Sequence, residues 1–335
     1  MDAQVCTLLT PRLHVRYLLC FVPPSHTGFG PVTMTHRNAL LAIHFGALMF
    51  GLAGIFGKLA ESSPLIITLV RAGFAVIALL LAAKFLQSNG ALPNGRQRAG
   101  LLLGGLLLGG HWLTFFMAVK IAGVGIATLG FASFPAFTLL LEGLLFRERT
   151  RPVEFGMVAL VCAGLLLVTP HFDLANESTL GLLYGILSGL MFALLSLLNR
   201  AVTRGVDPVQ AALWQNGIIL VCLLPFTWAS LPAVPAMDWV WLGLLGVLCT
   251  GLAHSLFVAS LKVLNARTAS VIFALEPVYG IAFAWWLFNE QPTLRMLIGG
   301  ALIILASVIT SRLKAPAAKN EATPLASPQP ASERQ

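Results

Sequence analysis

Several ionisable residues lie inside long apolar stretches of this chain, and four of them could do chemistry there: Arg71, His111, His254 and Glu276. A charge at the centre of a lipid bilayer costs about 2.5–3.5 kcal/mol on insertion scales, so each of these residues needs a specific role. The guanidinium of Arg71 could bind a carboxylate, and the carboxyl of Glu276 could bind an amine or take up a proton. The structural alternatives are an Arg71 head group that reaches the membrane interface and a neutral Glu276 that hydrogen-bonds between helices.

The two histidines occupy nearly equivalent places in the two halves of the sequence, at positions 111 and 254. A neutral imidazole can hydrogen-bond across helices, whereas protonation near neutral pH would make either histidine part of a proton relay. No carboxylate stands at metal-ligand spacing from them, and none of the five cysteines forms a CxxC pair. We therefore expect neither a metal nor another cofactor.

Aromatic and amide side chains in the same stretches could line a cavity with a few hydrogen-bonding groups. They are Trp112, Trp214, Gln215, Asn216 and Tyr279. The alternative for the tryptophans is lipid contact or packing.

The composition determines what kind of element positions these residues. Apolar residues make up 57% of the 335 residues and charged residues only 10%, against about 25% charged in soluble domains. This excludes an ordinary soluble enzyme and a disordered protein, and long apolar blocks do not fit the alternating strands of an outer-membrane barrel. The sequence predicts an all-α integral membrane protein.

Ten segments are long and apolar enough to span a bilayer, which needs about 20 residues per helix. They are residues 39–59, 64–86, 99–119, 124–146, 152–169, 180–199, 208–229, 238–260, 267–288 and 293–311. With a cytoplasmic N-terminus, 17 Lys and Arg residues fall on the cytoplasmic side and three on the other. This bias predicts both termini in the cytoplasm. It also accounts for the net charge of +8 without a nucleic-acid partner.

The two ends of the chain differ from its apolar middle. Residues 1–37 form an N-terminal extension that we expect to be disordered or to contain a mis-assigned start, with Met34 as the true start and residues 1–33 before it. Residues 313–335 are rich in Pro, Ala, Ser and charge, which predicts a disordered cytoplasmic tail.

An internal repeat relates the two halves at an offset of 142 residues, with nine identities among the 34 positions of residues 115–148. Each half holds five spans, and five is odd, so the second half inserts upside down relative to the first. Pro135 and Pro277 are repeat equivalents near the middle of spans four and nine, and we expect them to kink those helices. Interrupted helices at corresponding positions of two halves are the best pointer to a transport site.

Charged residues at span ends suggest gates. Lys120 and Glu290 share one face of the membrane by topology, and Lys262 and Glu148 share the other. We expect these two cross-half pairs to close the two faces in turn.

The stretch Leu275–Tyr279 followed by Leu287–Glu290 resembles the second-half signature of the EamA family, within the drug/metabolite transporter superfamily. In the first half, Phe134-Pro135 followed by Leu144–Glu148 is similar to the matching signature, and Arg71 looks like the family's arginine. The resemblance implies EamA repeats at residues 38–170 and 180–312, ten helices, cytoplasmic termini and export or exchange of small metabolites. One departure is that Phe134 stands where the second half has Glu276.

Together these observations predict a secondary transporter of the cytoplasmic (inner) membrane, most simply an exporter of amino acids or similar small metabolites by alternating access. Its partners would be the small-molecule substrate, the lipid bilayer and, through coupling, a proton. The alternatives are an integral-membrane enzyme and a membrane scaffold or sensor. An enzyme is disfavoured because no aspartate lies in the interior of a predicted span.

Overall fold

The computed structural model describes residues 35–85, 93–146, 152–169, 173, 175–202, 206–253, 256, 260, 263–264, 272 and 275–312. Residues 1–34 and the tail from residue 313 lie outside this set, so the expectations for both ends stay predictions.

The described part of the chain is helical and contains no strand. Its helices are α1 His36–Leu59, α2 Pro64–Phe85, α3 Gly95–Phe131, α4 Phe134–Phe146, α5 Pro152–Val168, α6 Glu177–Val202, α7 Pro208–Thr227, α8 Ala236–Gly246, α9 Glu276–Phe288 and α10 Leu294–Arg312. A 3-10 turn, Trp228–Ala233, follows α7, and a π-helical turn, Val247–Leu252, extends α8. By length and composition α1, α2, α3 and α6, together with α7 and its 3-10 turn, are each sufficient to cross a membrane. The predicted all-α membrane fold is confirmed.

Short polar signals start these helices. The side chain of Thr35 accepts from the backbone of Asn38 at the start of α1, and Asn94 and Gln97 cap α3 reciprocally. Asp207 caps α7 just before a proline in its first turn. These caps satisfy N–H groups that have no partner inside the helix.

The third and fourth predicted spans are divided differently in the structure. The helix labelled α3 continues to Phe131, but Gly123 interrupts it with φ 84° and ψ 171°, a backbone conformation that favours glycine. We call residues 124–131 the second segment of α3. A further break at Ala132 and Ser133 separates this segment from α4, so the fourth span consists of two pieces.

The two repeat prolines do not lie inside continuous helices, contrary to the predicted mid-helix kinks. Pro135 is the second residue of α4, and Pro277 is the second residue of α9. In a first helical turn the missing proline N–H costs little because it has no intrahelical partner there. The prolines therefore start half-helices rather than bend whole ones.

The two halves are interleaved through close glycine contacts. A Cβ on Gly246 of α8 would lie 2.6 Å from the carbonyl oxygen of Arg71 in α2, and one on Gly105 of α3 would lie 2.9 Å from that of Gln215 in α7. These contacts are near-equivalents under the sequence repeat, and each joins a helix of one half to a helix of the other. Small residues allow such close backbone approach between membrane helices.

Polar contacts mark the two ends of the helix bundle. At one end, the Lys58 end, Lys58 of α1 pairs with Glu290 after α9. At the other, the Arg200 end, Arg200 of α6 pairs with Glu142 of α4 at 2.5 Å. Both pairs join a helix of one half to a helix of the other.

The turn between α1 and α2 is tied to the rest of the Lys58 end. The carboxylate of Asp238, at the start of α8 and 2% exposed, accepts from the backbone N–H groups of Glu61 at 3.0 Å and Ser62 at 2.7 Å, and from the Ser62 hydroxyl. Lys120 donates to the carbonyl of Ala60 in the same turn.

We expect Asp238→Asn to lower the free energy of unfolding by about 1–3 kcal/mol, because an amide has one acceptor oxygen and leaves a buried N–H unpaired. Thermal unfolding in detergent measures the change. The exposed Asp173→Asn is the matched control and should melt with the wild type. Equal melting of the Asp238 variant and the wild type would contradict the assignment.

Candidate functional site

The guanidinium of Arg71 is buried between three helices and is 4% exposed. Its Nε donates to the hydroxyl of Thr250 at 2.9 Å. Its Cζ lies 3.9 Å from the ring centroid of Trp112 and 5.7 Å from that of Phe116. A cation over an aromatic face is stabilised by the ring quadrupole, more strongly when water is excluded.

Thr250 takes this position from the π-helical turn of residues Val247–Leu252. Its hydroxyl donates to the carbonyl of Leu245, five residues earlier, at 3.2 Å. Single π-helical turns are rare and are frequent at functional sites. The sequence analysis missed Thr250, because one hydroxyl in an apolar run looks like any other membrane threonine.

Glu276 is the first residue of α9 and is half-buried. The ion pairs among the described residues do not include one between Glu276 and Arg71. Among the described residues no donor reaches its carboxylate. A cation and an acid thus share one interior without neutralising each other, an arrangement that can bind a carboxylate and an amine together.

A helix crossing brings Glu276 beside the break of the first half. A Cβ on Gly280 of α9 would lie 3.3 Å from the Cγ2 of Thr128 in the second segment of α3. Each break lies one turn from this crossing: Ala132 follows Thr128 by four residues, and Glu276 precedes Gly280 by four. Tyr279 packs with its Cβ against Gly51 of α1, and its side chain is half-buried.

His111 joins α3 to α6. Its Nδ1 lies 2.7 Å from the Oγ of Ser188, which in turn donates to the carbonyl of His111 at 3.0 Å. The rings of Phe131 and Phe192 lie 5.0 and 5.1 Å from the imidazole. Ser188 is its polar partner among the described residues, which matches the interhelical hydrogen bond among the two predicted roles.

The amides of α7 do not contact Arg71. Gln215 donates to Asn199 of α6 at 2.8 Å. Asn216 donates to a carbonyl of its own helix, and its buried Oδ1 has no hydrogen-bond partner among the described residues. Trp214 is 41% exposed, unlike its buried neighbours, so it lies away from the interior that we expected it to line. Of the predicted aromatic and amide group, only Trp112 touches Arg71.

Three phenylalanines surround the first-half break. Phe131 and Phe134 stack at 5.3 Å between ring centroids, and Phe192 of α6 meets them edge-on at 5.4 and 5.2 Å. We call Phe131, Phe134 and Phe192 the aromatic cluster. Phe115, whose ring lies 6.1 Å from Phe131 and 5.6 Å from Phe116, connects it to the surroundings of Arg71.

Glu290 joins three elements at the Lys58 end. One carboxylate oxygen binds Lys58, and the other accepts from the backbone N–H groups of Val124 at 3.1 Å and Gly125 at 3.5 Å. It thus caps the second segment of α3 where the helix restarts after Gly123. The Lys58 ammonium also lies 4.7 Å from the ring centroid of Phe288.

The predicted pairing of Glu290 with Lys120 is therefore wrong, because Glu290 pairs with a different lysine. Lys120 donates to the Ala60 carbonyl at the end of α1, while Lys58 reaches Glu290. Both lysines lie at the Lys58 end of the bundle, and the one that reaches Glu290 is Lys58. Glu148, Lys262 and His254 lie outside the described residues.

A cavity of about 350 Å³ opens beside this pair, between the second segment of α3, α9 and α10. Its lining includes Lys58, Gly123, Ile126, Ile281, Glu290 and Met296. The described residues contain no group of three or more His, Cys, Asp or Glu side chains able to hold a metal ion.

Several known proteins resemble this chain. An uncharacterised transporter of Archaeoglobus fulgidus is 26% identical over 277 residues, 82% of this chain and 97% of that protein. The pseudopaline exporter of Pseudomonas aeruginosa is 24% identical over 72% of this chain and 84% of its own. A probable terminal-alkyne amino-acid exporter of Streptantibioticus cattleyicolor is 26% identical over 83% and 90%.

A solved crystal structure has the same fold, with a TM-score of 0.56 at 18% identity over 82% of this chain and 98% of that one. The model of the EamA-like transporter family matches residues 37–169 and again residues 179–312. The chain therefore belongs to the EamA-like transporter family and carries two EamA repeats.

Proposed function

We propose that this protein is a secondary transporter that exports small metabolites such as amino acids across the cytoplasmic (inner) membrane by alternating access. The observation that carries the proposal is that Arg71, buried against Trp112 and Thr250, and Glu276, half-buried at the start of α9, are intramembrane ionisable side chains that form no ion pair with each other. Arg71 would bind the substrate carboxylate, and Glu276 would bind its amine or exchange a coupling proton. Relatives named as exporters, one of them for an amino acid, support this choice.

The same names favour transport over the alternatives of a membrane enzyme, scaffold or sensor. Transport needs a site that binds and releases its substrate, and Arg71 with Glu276 offers recognition of a carboxylate and an amine by charge.

Two features support an orientation with the Lys58 end outside and both termini in the cytoplasm. Among the described residues, basic side chains occupy the helix ends on the Arg200 side: Arg37 starts α1, Lys84 ends α2, and Arg96 and Arg98 start α3. Four exposed tryptophans lie near the Lys58 end, where an aromatic belt would meet the lipid head groups: Trp228, Trp239, Trp285 and Trp286.

The cross-half ion pairs would serve alternating access. Opening of the Lys58 end requires Glu290 to leave Lys58 and the second segment of α3. Opening of the Arg200 end requires Arg200 to leave Glu142. Rocking of the two halves would break one pair while the other holds.

We expect Arg71→Lys and Glu276→Gln each to lower export about 10- to 150-fold, because a hydrogen bond to a charged group contributes about 1.5–3 kcal/mol. Lysine keeps the charge of Arg71 but loses the planar donor set that stacks on Trp112. The measurement compares extracellular metabolites of cells expressing the wild type with those expressing each variant.

Arg295→Lys and Glu177→Gln, at exposed positions, are the matched controls and should export like the wild type. If the wild type accumulates no compound outside the cell although it is folded in the membrane, export is refuted. If the Arg71 and Glu276 variants export normally, transport stands but this site does not carry it.

Glu290→Gln should open the Lys58 end more often, because it removes the ion pair with Lys58 but keeps an acceptor for the N–H of Val124. The buried thiol of Cys249 reports this opening in a chain whose other four cysteines are replaced by serine. Labelling by a membrane-impermeant thiol reagent should become up to about five-fold faster, because the free energy of one partly exposed ion pair corresponds to a factor of this size in the population of the open state.

Glu61→Gln removes an exposed carboxylate from the same end and should leave labelling unchanged. A Glu290→Gln rate equal to that of this control would show that the pair does not restrain opening.

A further inference from the structure

The two helix breaks are equivalent in position but opposite in chemistry. Phe134 begins α4 after the first break, and Glu276, its counterpart at the repeat offset, begins α9. Both residues precede a proline. One half thus presents a carboxylate at the start of its half-helix, and the other presents a phenyl ring.

The crossing of α9 with α3 at Gly280 and Thr128 places these two breaks side by side at one depth. Gly51 of α1 lies against the backbone carbonyl of Glu276, and Gly54 of the same helix lies against the ring of Phe115. The aromatic partners of Arg71 lead through Phe116 and the same Phe115 to the aromatic cluster. A cation, an acid and an apolar surface therefore border one region of the interior.

The aromatic cluster is not fully buried by its packing partners. Phe131 is buried, whereas Phe134 and Phe192 are only half-buried. The three rings contact one another directly across the break, and the imidazole of His111 lies beside Phe131 and Phe192. Such a surface favours an apolar group and disfavours a charged one, which would lose its hydration there.

We propose that the substrate carries a bulky apolar side chain in addition to its carboxylate and amine, and that Phe134 and Phe192 are the specificity-determining residues that contact it. The carboxylate lies at Arg71, the amine at Glu276 and the side chain against the aromatic cluster. This inference rests on the proposed export function and assigns the third point of contact at the same site.

The test uses the full chain in proteoliposomes loaded with labelled phenylalanine, leucine, alanine or glutamate. The wild type should release phenylalanine and leucine about ten-fold faster than alanine or more, because each methylene in an apolar pocket changes discrimination by about 10–200-fold. Phe134→Ala and Phe192→Ala should bring the phenylalanine-to-alanine ratio towards one. Phe226→Ala is the matched control, since Phe226 is 81% exposed, and it should keep the wild-type ratio.

Phe134→Leu retains an apolar side chain, and it replaces Phe134→Ala where the smaller residue does not fold. A wild-type ratio near one, or a ratio that the substitutions at 134 and 192 leave unchanged, overturns the proposal while amino-acid export stands. If none of the four amino acids leaves the vesicles, although cells expressing the protein export another class of metabolite, the amino-acid assignment and the proposal both fail.

Discussion

Backbone groups at membrane depth have no water to bind, so every interruption of a helix must find its hydrogen-bond partners within the protein. The main irregularities of this fold follow that constraint. At Gly123 the carboxylate of Glu290 supplies acceptors for Val124 and Gly125. At the next break the hydroxyl of Ser133 donates to the carbonyl of Gly130 at 2.7 Å. Breaks are thus possible only where particular side chains satisfy them, and the site lies among those breaks.

Hydropathy identified the spans well because the bilayer imposes a nearly fixed length on every helix. The boundary at Pro208 was also visible, since Asp207 and the proline form a local signal. The sequence did not reveal which side chains become neighbours in the folded protein. Topology assigned Lys58 and Lys120 to one face, but which of them meets Glu290 depends on the packing around the break at Gly123.

The candidate site likewise contains residues that the sequence identified and residues that only the folded structure identifies. Arg71 and Glu276 stood out because charges are rare within apolar runs. Thr250 did not, since its role comes from a π-helical turn that the sequence does not announce. The prediction that Trp214 lines the interior was wrong for a related reason. The sequence indicates how deep a residue lies in the membrane, but the side of the helix that faces lipid depends on packing around Gln215.

The interleaving of the two repeats has a consequence for how the chain is assembled during synthesis. The face of α2 around Arg71 is covered by Gly246 of α8, and Gly105 of α3 is covered by α7. The first five helices emerge from the ribosome before either of these partners exists. Until α7 and α8 enter the bilayer, the first repeat must leave these faces to lipid or to the insertion machinery. Each repeat is therefore a unit of sequence but not of folding, and burial of the Arg71 guanidinium waits for the second half of the chain.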